Sequence, residues 1–282
     1  RFVLLMHRDG SVDVYEPWTN AVSPVRTLAV GNELGFVVPL PGHRLCTVCP
    51  EAKARHPLMV WDLETGNGEA HRVDGLPSCV TWLDDQSYVV GTMDAKMTIR
   101  RLDTGKLVGK LYGWENHDGG GIRKFAVGNE GKLFAALYDD GTLMFWGLSQ
   151  GRNRGLGRHA QAAPPAIVAD PGSSWVITPS PEEVLTWKEG QPARSLVGSG
   201  PVEVRPEQPG DGTELGARMV EQVLAVFVRP NVVAIGGAHL DVWDLGTSRH
   251  LGRWDKPVTT LISVCGKVIA GDNEGNIWEV NA

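Results

Sequence analysis

Cysteine is scarce, long apolar runs are missing, and neither sign of charge dominates. Four cysteines in 282 residues are too few for the disulfide framework of a secreted scaffold. No stretch approaches the ~18 consecutive apolar residues of a membrane helix. A net charge of −6 argues against a global nucleic-acid footprint. No signal-peptide pattern and no Asn-x-Ser/Thr acceptor is present. The chain opens on Arg1 rather than Met, so a missing leader excludes nothing about targeting. Catalytic signatures are absent too: no GxSxG, no GxxxxGK[ST], no HExxH and no Asp-rich calcium loop. The expectation is a chain without enzymatic activity, cofactor or metal.

Cys46-Thr-Val-Cys49 has the spacing of a zinc half-site or redox motif. It falls in a run that reads as a strand, where positions three apart face opposite ways and cannot share a metal. The cysteines therefore read as buried small hydrophobes, and the compartment as reducing and intracellular.

What the chain has is turns. Its 35 glycines and 18 prolines favour many short strands over long helices. Residues 121–148 show the pattern best: runs Ile122–Val127, Lys132–Tyr138 and Thr142–Trp146 are parted by Asn129-Glu130-Gly131 and Asp139-Asp140-Gly141. Runs this short, carrying β-branched and aromatic residues, suit a pleated surface. Gly and Asp in the gaps supply tight reversals, so the stretch reads as an antiparallel meander. The pairs Asp139-Asp140 and Asp84-Asp85 are expected to serve turns rather than acid–base chemistry.

An apolar, variable, apolar, aromatic unit then recurs. Its last slot is filled by Tyr15, Trp61, Arg100, Trp146, Trp187, Trp243 and Val280, with spacings of 46, 39, 46, 41, 56 and 37 residues. A mean near 44 lies within the ~40–45 residue period of four-stranded propeller blades. The whole chain, 1–282, reads as one all-β domain, a seven-bladed β-propeller of four-stranded antiparallel blades. A loop insertion at 198–218 accounts for the longest spacing. Strands assigned on that period number 26 of the 28 required. The two missing are the first blade's innermost strand and the last blade's outermost one, so ring closure is expected to be incomplete within the chain. An upstream segment or a partner strand would complete it.

Trp61-Asp62-Leu63 and Trp243-Asp244-Leu245 resemble the signature of the tryptophan–aspartate (WD) repeat family. The fourth unit is also similar, with His117 ahead of its first strand and Asp139-Asp140-Gly141-Thr142 before Trp146. The resemblance implies a buried hydrogen-bond chain of His, Ser/Thr, Asp and Trp. His117, Asp140 and Trp146 match three of its places, and Ala136 holds the place of the hydroxyl. It also implies a scaffold for protein–protein contacts.

Recognition is expected on irregular loops of a rigid frame. Three share one rim in this reading: 50–57, with Lys53, Arg55 and His56; 113–120, with Trp114, Glu115 and His117; and 198–218, with Glu203, Glu207 and Asp211. An aromatic, arginine and acid mixture suits protein recognition. The second reading is binding of RNA or a ribonucleoprotein through Arg152, Arg154 and Arg158 on an outer strand. No aromatics are interleaved there for base stacking, and basic residues also protect a sheet edge from pairing. A ligand-sensing or enzymatic propeller is the third reading.

Overall fold

Short β-branched and aromatic runs fold as antiparallel hairpins because each is closed by a residue that tolerates left-handed backbone. Asn129, Glu130 and Gly131 have φ of 49°, 52° and 81°, and Gly141 has 83°, at the two gaps that punctuate the meander. Our computed structural model describes residues 3–7, 9–16, 23–30, 35–49, 58–111, 120–147, 152–158, 166–180, 183–188, 191, 193–196, 223–264, 266–272 and 274–280. Among these the regular structure is entirely β, in 26 strands forming seven small antiparallel sheets. No helix among them is long and apolar enough to cross a membrane.

The chain divides into two compact units, Arg1–Phe125 with Ala136–Thr142, and Ala126–Ala135 with Leu143–Ala282. The first unit holds three whole sheets. One comprises β1 (Val3–Met6), β2 (Ser11–Tyr15) and β3 (Arg26–Ala29). The next comprises β4 (Phe36–Leu40), β5 (Arg44–Val48), β6 (Leu58–Asp62) and β7 (Gly68–Ala70). The third comprises β8 (Pro77–Asp84), β9 (Ser87–Thr92), β10 (Met97–Arg101) and β11 (Leu107–Leu111). A fourth sheet, β12 (Ile122–Gly128), β13 (Leu133–Tyr138), β14 (Thr142–Gly147) and β15 (Arg152–Arg158), draws residues from both units.

The second unit holds the remaining three. These are β16 (Val168–Ala169), β17 (Trp175–Pro179), β18 (Val184–Lys188) and β19 (Arg194–Leu196); then β20 (Leu224–Arg229), β21 (Val232–Gly236), β22 (Leu240–Asp244) and β23 (Arg249–Trp254). The last is β24 (Thr260–Val264), β25 (Lys267–Gly271) and β26 (Ile277–Val280). Within each sheet, strands neighbour one another in the order of the sequence. The strand tally and the two three-stranded sheets agree with the sequence reading. The strand expected at Pro165–Ala169 is shorter, since β16 begins at Val168.

Within each unit successive sheets pack face to face. Val12, Val14 and Leu28 of the first sheet meet Leu45 and Trp61 of the second. Cys46, Val48 and Val60 from its other face meet Val80, Tyr88 and Val90 of the third. In the second unit, Trp175 and Ile177 meet Phe227 and Val233, and Ala234 and Val242 meet Val258 and Val268. Middle strands are the most enclosed: β13 and β21 are buried at every position. The fourth strands are the exposed ones, as β7 and β23 show.

Candidate interaction site

The turn between β9 and β10, Thr92-Met93-Asp94-Ala95, is built on one hydroxyl. Thr92 Oγ1 donates to Asp94 Oδ1 at 2.6 Å and accepts from Lys96 N at 3.1 Å. Ala95 completes the reversal with a left-handed φ of 60°. Lys96 pairs with the Asp94 carboxylate, and this contact, with the Thr92 bond, lowers the Asp94 pKa. The same pair raises the Lys96 pKa, with a further contribution from Asp74.

Neighbouring segments lock this turn in place. Met93 N donates to Leu76 O at 2.9 Å, and Asp139 N donates to Gly121 O at 3.0 Å. Gly121 lies so close that a Cβ there would come within 2.9 Å of the Met93 backbone. Two segments that join one sheet to the next, at Leu76 and at Gly121, thus meet the β9–β10 turn. Met93 remains 57% exposed at its tip, with exposed Asp74, Asp94 and Asp139 around it. An unbranched, polarisable side chain on a rigid turn can adapt to an apolar pocket, and the acids favour a partner with basic residues at its rim.

Sequence reasoning missed Met93. The available signal was an apolar residue between Thr92 and Asp94, where turn chemistry calls for polar or small types. Trp82, 47% exposed on β8, was missed likewise. The predicted rim residues Lys53, Arg55, His56, Trp114, Glu115, His117, Glu203, Glu207 and Asp211 all lie outside the described residues. Gly120 and Gly121, which follow the Trp114 loop, are described. Arg152, Arg154 and Arg158 fall on β15, the edge strand of its sheet, and their side chains lie outside what is described.

Of the expected hydrogen-bond chain, His117 lies outside the described residues. Asp140 accepts from Thr142 N and Thr142 Oγ1, both at 2.9 Å. Thr142 thus gives Asp140 a hydroxyl, from a position other than the one that Ala136 holds in the resemblance. Trp146 is fully buried and packs at a tilt on Phe134, 5.7 Å between ring centres.

Other titratable groups serve the frame. Asp84 Oδ1 accepts from Gln86 N at 2.8 Å, which is turn chemistry. Burial pushes the Cys46 thiol up, and the Cys79 thiol up to about 12. Both are neutral at pH 7 and poor nucleophiles. His71 Nδ1 lies 2.6 Å from the Tyr88 hydroxyl; burial lowers the His71 pKa and raises that of Tyr88. Buried Asp241 is held by Arg253 Nε at 2.8 Å and His250 Nε2 at 2.8 Å, which balances its charge. Among the described residues no group of three or more His, Cys, Asp or Glu is placed to hold a metal ion.

No family model matches the chain, and no curated protein matches it. Among solved structures it is similar to the crystal structure of the computationally designed Ika8 protein, at 19% identity and a TM-score of 0.68. That likeness covers 100% of this chain and 80% of the designed one, and at such low identity it concerns the fold alone.

Proposed function

We propose that the chain is a non-catalytic scaffold of WD-repeat type, binding other proteins within a larger intracellular assembly. Its seven sheets would be the blades of a propeller. An upstream segment or a partner strand would supply the fourth strand of the last sheet. Exposure of Met93 on a turn braced by Leu76, Gly121 and Asp139 is the observation that carries this reading. Burying an apolar side chain of that kind against a partner contributes ~1.5–3 kcal/mol, and rigid bracing keeps the entropic cost of docking low.

Affinity capture on the chain, followed by chemical crosslinking and mass spectrometry, tests the proposal. Partner proteins should remain after RNase treatment and crosslink through Lys96, the nearest amine on that turn. Loss of every partner on RNase treatment, with affinity rising steeply at low salt, would replace the scaffold reading by the RNA one.

A further inference from the structure

A second recessed surface lies in the second unit, between the outer strands of the β16–β19 and β20–β23 sheets. It is a cleft of about 260 Å³, with Trp175, Thr186, Arg194, Ser195, Trp243 and Ser248 among its lining residues. Trp175 and Trp243 each hold an indole N–H out of contact with solvent and without any hydrogen-bond acceptor. Indole N–H can only donate, and buried donors are nearly always satisfied. Two orphans on tryptophans that line one cleft therefore call for an explanation.

Two tryptophans in the corresponding strand position of other sheets are satisfied internally, whereas Trp278, away from this cleft, is not. Trp61 Nε1 donates to Thr47 Oγ1 at 2.9 Å, and Trp187 Nε1 to Thr178 Oγ1 at 2.8 Å. In both sheets that threonine sits two residues beyond the residue directly opposite the tryptophan. Trp243 stands opposite Val233, so the matching position is Ile235, which has nothing to offer. An acceptor for Trp243 has to come from outside the sheet.

The surroundings specify its chemistry. Arg194 Nη1 lies 3.4 Å from Ser248 Oγ, and Lys188 Nζ sits 5.1 Å above the Trp175 ring. None of the described lining residues is a carboxylate. Arg194, the hydroxyls of Thr186, Ser195 and Ser248, and two donor-only indoles line one cleft, whose complement is an anionic acceptor. Arg194–Leu196 form the outermost strand of their sheet, and an edge of this kind can take an added extended segment.

We infer that this cleft receives the carboxylate of an Asp or Glu side chain carried on an extended acidic peptide of a partner protein. The inference rests on the scaffold reading and adds to it a second contact of opposite charge character to the Met93 rim. Its cost and its reward are distinct from those of the rim: the carboxylate must be desolvated and the two enclosed indole N–H groups must turn toward the cleft, and in return they gain an anionic acceptor.

The experiment uses a random heptapeptide display library selected on the intact chain, followed by nuclear magnetic resonance with nitrogen-15 labelled tryptophan. Selected peptides should be enriched in Asp and Glu, and a synthetic one should move the two indole N–H peaks assigned through Trp175→Phe and Trp243→Phe. Its Kd should weaken at least tenfold in Trp243→Phe and in Arg194→Ala, with Arg194→Lys retaining part of the affinity. Indole peaks that stay still in the wild-type chain would overturn the inference, whatever the variants do. Peptides lost with Met93→Ala but not with Arg194→Ala would overturn it while leaving the scaffold reading intact. Acidic small molecules binding in place of peptides would overturn the choice of a peptide partner.

Discussion

Trp187 Nε1 donates to Thr178 Oγ1 at 2.8 Å across β18 and β17, with both side chains buried. Trp61 and Thr47 repeat the bond at 2.9 Å in the first unit. The pair ties a third strand to a second at the level of side chains as well as backbone. Replacing Thr178 by Val keeps the shape and removes the acceptor, leaving a buried donor unsatisfied. Urea denaturation of Thr178→Val should show a loss of about 1–2 kcal/mol with an unchanged m-value. Stability equal to wild type would mean that the indole finds another acceptor or that the bond contributes nothing.

Asp170 is a stronger anchor. Fully buried, it accepts from Gly172 N at 2.9 Å and from Asn231 N at 2.6 Å, and Ser173 Oγ donates to it as well. Its own carbonyl accepts from Asn129 N at 2.9 Å. Three turns that close three different hairpins are thereby joined. Asp170→Ala strands several buried donors at once and should cost roughly 2–4 kcal/mol in the same assay. A cost below about 0.5 kcal/mol would show that these turns hold without the carboxylate.

Acid sensitivity follows from His71. Desolvation lowers its pKa in the folded chain, whereas the unfolded chain titrates near the ordinary value of about 6.5. Below that value the unfolded state takes up a proton that the folded state resists, so stability falls as pH drops from about 6.5 toward the folded pKa. Asp62 and Asp103, whose pKa values are lowered by hydrogen bonds from Thr65 and Arg101 respectively, act only below about 4. Comparing pH 7.5 with pH 5.5, His71→Gln should lose less stability than wild type. Equal losses in the two proteins would contradict this assignment.

Repeats were legible because turn chemistry is local. Asn129-Glu130-Gly131 and Asp139-Asp140-Gly141 announce reversals, and the runs between them are too short to be helices. Asp170-Pro171-Gly172 also reads as a turn, but its hold on Asn231 spans 61 residues, and nothing local encodes such a distance. Met93 was hidden because a single apolar residue in a turn carries no periodicity. The orphan donors of Trp175 and Trp243 were hidden for another reason: both look like ordinary core aromatics until register reveals Ile235 in place of a threonine. Ala166 and Ile167 show where pattern overreaches, since these apolar residues extended the expected strand beyond β16.

Binding through the Met93 rim is the central claim, and one affinity comparison tests it most directly. A captured partner should be titrated against wild-type chain and against Met93→Ala, with thermal unfolding of both measured alongside. Met93 is exposed, so the substitution should leave the unfolding midpoint unchanged while weakening Kd at least about tenfold, as removal of an apolar anchor does. An unaltered Kd with an unaltered midpoint would contradict the account.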